Sequence, residues 1–355
     1  GNERLLVTWD AGRPYEIDPR TLGLVGPIGW AKQWYSMIPN PLNWTFPPIL
    51  SAAHPVFDTH TDEMFTVNAS KSILNLLWIY RLIPADINEW LDRIQVSFIR
   101  KLLKQFISGS VGVLLTILEK FLDSSIVGQG DRVYLNRWMG SGTTVEQWEV
   151  LQPNGRPLKI RQSMHQMGLT KDYIVLSDSA FKLLLEDLIP ILNSDDPLIL
   201  QDVEKFLEKI REDLSYPQLP YTDLYIVPRS QLKPGTKTVT AKHVRLKPET
   251  AHFLVEYDNP DDKITLFVAH TAASDPSEFL RVKDTSAVGD PSTTQALKDR
   301  SGMFSSPMDV NRIGCWTIDA SKNSPSAKSI FLSKSESEQY LWSLALYAWR
   351  GFQPD

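Results

Sequence analysis

The amino-acid sequence predicts an all-β fold of short strands, interrupted by two helical segments. Three observations carry this expectation. Apolar runs of about five residues recur along most of the chain, Gly, Pro, Asn and Asp gather between them, and apolar spacing of three and four is confined to two stretches. The strand-like runs fall near residues 4–9, 63–67, 131–136, 145–151, 157–161, 172–176, 223–228, 237–246, 252–257, 263–269, 312–318 and 328–333. Pro153-Asn154-Gly155-Arg156 reads as a turn between two of them and Asp258-Asn259-Pro260-Asp261-Asp262 as another. Strands of this length and spacing suit a sandwich, a barrel or a propeller. No WD or kelch repeat selects among the three.

The first helical stretch is 73–123. Asp86 stands at a capping position ahead of Trp90, Leu91, Ile94, Phe98, Ile99, Leu102, Phe106 and Ile107, while Arg93, Arg100, Lys101 and Lys104 occupy the other face. Gln105 to Leu118 is nearly uncharged, but it is broken by Gly109 and Gly112 and is shorter than the roughly 18–20 residues that span a bilayer. Two readings stay open. One is an amphipathic insertion packed on the β domain; the other is peripheral membrane contact, with Trp78, Tyr80 and the apolar face in the interface and the cations near anionic headgroups. Liposome flotation with and without 73–123 separates them. The second helical stretch is 179–213, where Asp195-Asp196-Pro197 precedes Leu200, Val203, Phe206, Leu207 and Ile210 along one side.

Composition narrows the function classes. At 355 residues, with 42% hydrophobic and 22% charged residues, the chain can bury a large core in one domain or two. A net charge of −5 with both signs interspersed gives no reason to expect nucleic acid. One cysteine, Cys315, excludes an internal disulfide and thiolate zinc sites, and fits a reducing compartment such as the cytoplasm. No GxSxG, P-loop or GxGxxG is present; the segment 140–144, GSGTT, lacks the lysine of a phosphate loop.

Six histidines remain as candidate chemistry: His54, His60, His165, His243, His252 and His270. None forms an HxH or HExxH pair, and a lone histidine is more often hydrogen-bonded structure than a ligand. A metal reading therefore requires distant strands to bring imidazoles to one point. His60, in an Asp- and Thr-rich turn, reads as solvated. His243 reads as a strand residue facing outward or toward a neighbouring sheet, and His252 as a structural strand residue.

SAAHPVFDTHTDEMFTVN (51–68) and SMHQMGLTKDYIVL (163–176) are similar to the first and second metal-histidine segments of the carotenoid cleavage oxygenases. ITLFVAHTAASDPSEFL (264–280) resembles the third more loosely, without the Asn-Ala pair that often follows the histidine. VTWDAGRPYEIDPRTL (7–22) resembles the segment ahead of the first histidine.

The resemblance implies a single domain over 1–355 belonging to a seven-bladed β-propeller, with non-haem Fe2+ on its axis held by four histidines. Of these, His54, His165 and His270 would be in this chain, while the fourth and two further carboxylates would lie beyond Asp355. It implies a dioxygenase that uses O2 to cut a C=C bond of a carotenoid, apocarotenoid or stilbene into two carbonyls. Asp10 takes the place of the carboxylate that orients the second histidine, where the family more often has Glu. Met164 and Met167 are candidates for the wall of an apolar substrate tunnel. The chain alone is then expected to be iron-poor and inactive. Two alternatives accompany this reading: a non-catalytic propeller that binds an apolar ligand or a partner, and an isomerohydrolase acting on a retinyl ester.

Overall fold

The computed structural model describes residues 4–37, 49–72, 130–140, 142, 144–180, 219–270, 291–292, 295 and 312–332. The helical stretches expected at 73–123 and 179–213 lie outside them, apart from Ser179 and Ala180. Among the described residues no helix is long and apolar enough to cross a membrane.

The described strands form four sheets. β1 (Leu5–Val7), β2 (Tyr15–Ile17) and β3 (Leu24–Pro27) make a small antiparallel sheet. β4 (Val56–Asp58), β5 (Glu63–Ser70), β6 (Arg132–Trp138) and β7 (Val145–Leu151) make an antiparallel meander. The third sheet contains β8 (Met167–Leu169), β9 (Tyr173–Asp178) and β10 (Thr222–Pro228). The chain then leaves as β11 (Thr238–Thr240) to pair in parallel with β7, and returns as β12 (Lys242–Leu246) beside β10. β13 (Thr250–Val255), β14 (Lys263–His270), β15 (Arg312–Asp319) and β16 (Ala327–Leu332) close the series as a second full meander. Four-stranded antiparallel sheets repeated along a chain are the blades of a propeller. The fold is all-β and of this type.

Most strand-like runs are strands. The run at 157–161 is not, and makes only an isolated bridge from Pro157 to Leu151. Proline brings no N–H to extend a ladder there. The turn that precedes it is the one expected, with Gly155 at φ 77°, a left-handed conformation that glycine adopts without a Cβ clash. The run at 237–246 divides into β11 and β12 at Ala241, whose N–H bonds the Leu151 carbonyl at 2.8 Å.

The chain divides into two compact units. The first contains β1–β7 and β11. Its core packs Leu6 against Ile28, Met64, Trp138 and Val145. β5 is buried at all eight positions, and the covering segment serves its Asn68, which accepts from the Tyr35 N–H at 2.7 Å and donates to the Tyr35 carbonyl at 3.0 Å. The second unit buries alternate residues, among them Tyr173 and Val175, Leu224 and Ile226, Val244 and Leu246, and Ile264, Leu266 and Val268. That period of two puts each set on one face of its strand, and each side chain contributes about 1.5–3 kcal/mol by leaving water.

Gly168, in the middle of β8, sits where β13 leaves no room. A Cβ built there would lie 2.3 Å from Val255 Cγ2 and 3.1 Å from Phe253. Both neighbours are stiff, and Phe253 is fully buried. Gly168→Ala is expected to cost about 1–3 kcal/mol by overpacking, read as a lowered urea midpoint; an unchanged midpoint would mean that β13 yields freely.

Candidate metal centre

The site begins with two segments that run side by side. His54 and Gln166 form an isolated parallel bridge. The His54 N–H donates to the His165 carbonyl at 3.0 Å, and the Met167 N–H returns to the His54 carbonyl at 3.2 Å. The two imidazoles consequently meet edge to face, with ring centroids 4.8 Å apart and planes at 80°.

Residues 8–12 clasp the first of these segments. Thr8 Oγ1 donates to the Ala53 carbonyl at 2.6 Å, the Ser51 N–H to the Asp10 carbonyl at 2.8 Å, and Ser51 Oγ to the Trp9 carbonyl at 2.6 Å. The clasp aims the Asp10 carboxylate at His165, with Oδ2 and Oδ1 at 2.9 and 3.1 Å from Nδ1. Asp10 Oδ1 also accepts the Ala53 N–H at 3.2 Å, one residue before His54. One carboxylate thus joins both histidine segments.

Facing a carboxylate, His165 Nδ1 carries the proton and Nε2 keeps its lone pair. Burial, then the neighbouring His165, push the His54 pKa below the ordinary histidine value, with Asp10 opposing them. Neutral imidazole is the form that binds a metal.

An imidazole pair suits a divalent first-row metal such as Fe2+, Co2+ or Zn2+, and His54 and His165, with Asp10 at the Nδ1 of the second, fit the group that the sequence resemblance implies.

His270 lies in the second unit, with both ring nitrogens hydrogen-bonded. Its Nε2 accepts the Trp316 indole N–H at 3.1 Å, and its Nδ1 lies 3.2 Å from the Glu249 carbonyl. An indole only donates and a carbonyl only accepts, so one nitrogen's lone pair and the other's proton are both committed. It is fully buried, at 0% exposure. His252 lies opposite Ala269 in the β13–β14 pair and His270 opposite Thr250, with a bulge between Thr250 and His252. Neighbours along β14 face opposite ways, and bulges re-aim side chains.

Of the remaining histidines, His60 is exposed and bonds Asp58 at 3.3 Å. His243 Nε2 lies 2.8 Å from Asp223. Burial pushes the Asp223 carboxyl up, but hydrogen bonds from Arg245 and His243 outweigh it and leave the pKa at about 2. Met164 and Met167 are 3% and 2% exposed. A cavity of about 530 Å³ lies at the Lys171-Asp172 and Asp258–Asp262 turns, lined by acidic residues and none of the histidines.

With this geometry in hand, the chain can be set beside known proteins. A family model described as RPE65, retinal pigment epithelial membrane protein, matches residues 1–341. The chain belongs to this family. The RPE65 family lies within the carotenoid oxygenase superfamily. Among curated sequences none matches the chain. Among solved structures, Pseudomonas brassicacearum lignostilbene dioxygenase is similar at 11% identity and TM-score 0.40, over 92% of this chain and 45% of that one. Cobalt-substituted Synechocystis apocarotenoid oxygenase is similar at 13% identity and TM-score 0.41, over 92% and 46%. A chimera of that oxygenase with RPE65 is similar at 12% identity and TM-score 0.37, over 92% and 46%. The chain spans less than half the length of the solved structures it matches.

Proposed function

We propose that the protein serves as a non-haem iron dioxygenase of the carotenoid oxygenase type, cutting a C=C bond of an apolar polyene or stilbene with O2 to give two carbonyl products. The observation that carries the proposal is the edge-to-face pairing of His54 and His165 with the Asp10 carboxylate at the His165 Nδ1. Membership of the RPE65 family supports it.

In this reading His54 and His165 hold the ion through imidazole nitrogens, and Asp10 retains the Nδ1 proton of His165 so that Nε2 faces the metal. Bound Fe2+ would supply the activation of dioxygen. The reaction asks no side chain to act as nucleophile or general base. What the chain contributes is ligand geometry, exclusion of water and an apolar wall, for which Met164 and Met167 are the candidates.

The test is incubation of the Fe2+-loaded full-length protein with apocarotenoid and stilbene substrates under labelled O2. Carbonyl products carrying the label, formed with stoichiometric O2 uptake, are expected. Geometric isomers or alcohols formed without O2 uptake would transfer the site to isomerohydrolase chemistry, and ligand binding without turnover would make it a binding propeller.

A further inference from the structure

Lys71 is buried where a lysine is costly to bury. It directly follows β5 and is 2% exposed, yet lysine is almost never fully buried without partners. Its ammonium donates to the Arg161 carbonyl at 2.9 Å and to the Gln162 carbonyl, four and three residues before His165 on the same irregular segment. Its own N–H donates to the Met37 carbonyl at 2.7 Å.

The residues on either side reinforce the anchor. Ser70 Oγ donates to the Gly130 carbonyl. Ser72 gives its N–H to Asp131 Oδ1 at 3.0 Å and its hydroxyl to Oδ2 at 2.7 Å. Asp131 in turn pairs with Lys159 at 3.2 Å, at the head of the segment that leads to His165. From 159 to 166 that segment has no strand ladder, only single bridges at Ser163 and Gln166. A backbone without a ladder takes its position from side-chain bonds.

We infer that Lys71 is a positioning residue for the metal centre: its ammonium fixes the two carbonyls that set where the His165 imidazole stands. The inference rests on the proposed role of His165 as a ligand. A charge-assisted bond to a carbonyl is stronger than a neutral one, and two from one ammonium pin the turn in both position and rotation. Lys71→Met keeps the length and apolar stem and removes both bonds.

The experiment is a Co2+ titration of the full chain, read by the visible d–d spectrum, with backbone hydrogen exchange at 161–167 in the metal-free protein. Lys71→Met is expected to weaken Co2+ binding about tenfold, as loss of a supporting partner does, to alter the band shape, and to speed exchange across 161–167. Val244→Ala, in the core of the other unit, lowers stability but is expected to leave affinity and band shape unchanged. Lys71→Arg, which keeps the charge and donors, should restore the band shape, and it stands in if the methionine variant does not fold. Wild-type affinity and band shape in Lys71→Met, or unchanged exchange at 161–167, would overturn the inference. If the wild-type chain takes up no Co2+, the metal reading of the site falls, and the exchange measurement alone decides the anchoring by Lys71.

Discussion

Replacing His165 with alanine is expected to abolish metal uptake, and replacing His270 with alanine is expected to leave it intact while lowering stability. The two substitutions separate the proposed ligand from a histidine whose two nitrogens are already hydrogen-bonded. His165 has Nδ1 on Asp10 and its ring edge to face with His54. With its imidazole removed, one ring of the pair is left, so a decrease in Co2+ affinity of about a hundredfold or more follows. His270→Ala instead leaves a cavity beneath β14 and strips the Trp316 indole N–H of its acceptor. Cavity and orphaned donor together cost about 2–4 kcal/mol. Metal titration and urea denaturation on the same two variants give both numbers. Loss of metal in His270→Ala with retention in His165→Ala would reverse the assignment.

The position of these residues in the fold explains what the sequence could reveal. His54 and His165 stand two residues before β4 and β8, and His252 is the third residue of β13. Each of those strands is an edge strand that opens its sheet, whereas His270 ends β14, an inner strand. A histidine at the entry to the first strand of each of these sheets is thus a structural repeat, but β4 and β8 are three residues long and show no alternation from which a strand could be read. Without them the repeat is invisible, and His252 looks like any strand histidine. The bulge that turns it depends on the pairing of β13 with β14, which local spacing does not encode. By contrast, the long strands were legible because their apolar residues alternate, as Ile264, Leu266 and Val268 do on β14. Asp10 was legible only through likeness to a known segment, since its partner lies 155 residues away.

Asp10 gives the second large effect. Asp10→Ala removes the acceptor of the His165 Nδ1 proton, so the ring can turn or change tautomer and Nε2 no longer keeps its lone pair toward His54. The Ala53 N–H loses its side-chain acceptor at the same time, which slackens the segment that carries His54. Supporting acceptors of this kind are worth about 10–100-fold in metal affinity, and the upper end is expected here because one carboxylate steadies two ligands. Asp10→Asn discriminates between charge and geometry: its amide oxygen can still accept the Nδ1 proton, so a decrease of about tenfold would measure the lost charge alone. Asp10→Glu tests the clasp. The longer side chain must fit between backbones already fixed by the Thr8 and Ser51 hydrogen bonds, and it is expected to bind metal more weakly than wild type but better than the alanine variant. Equal affinity in all three variants would show that His165 holds its orientation without Asp10, and would leave the clasp at residues 8–12 a purely structural feature.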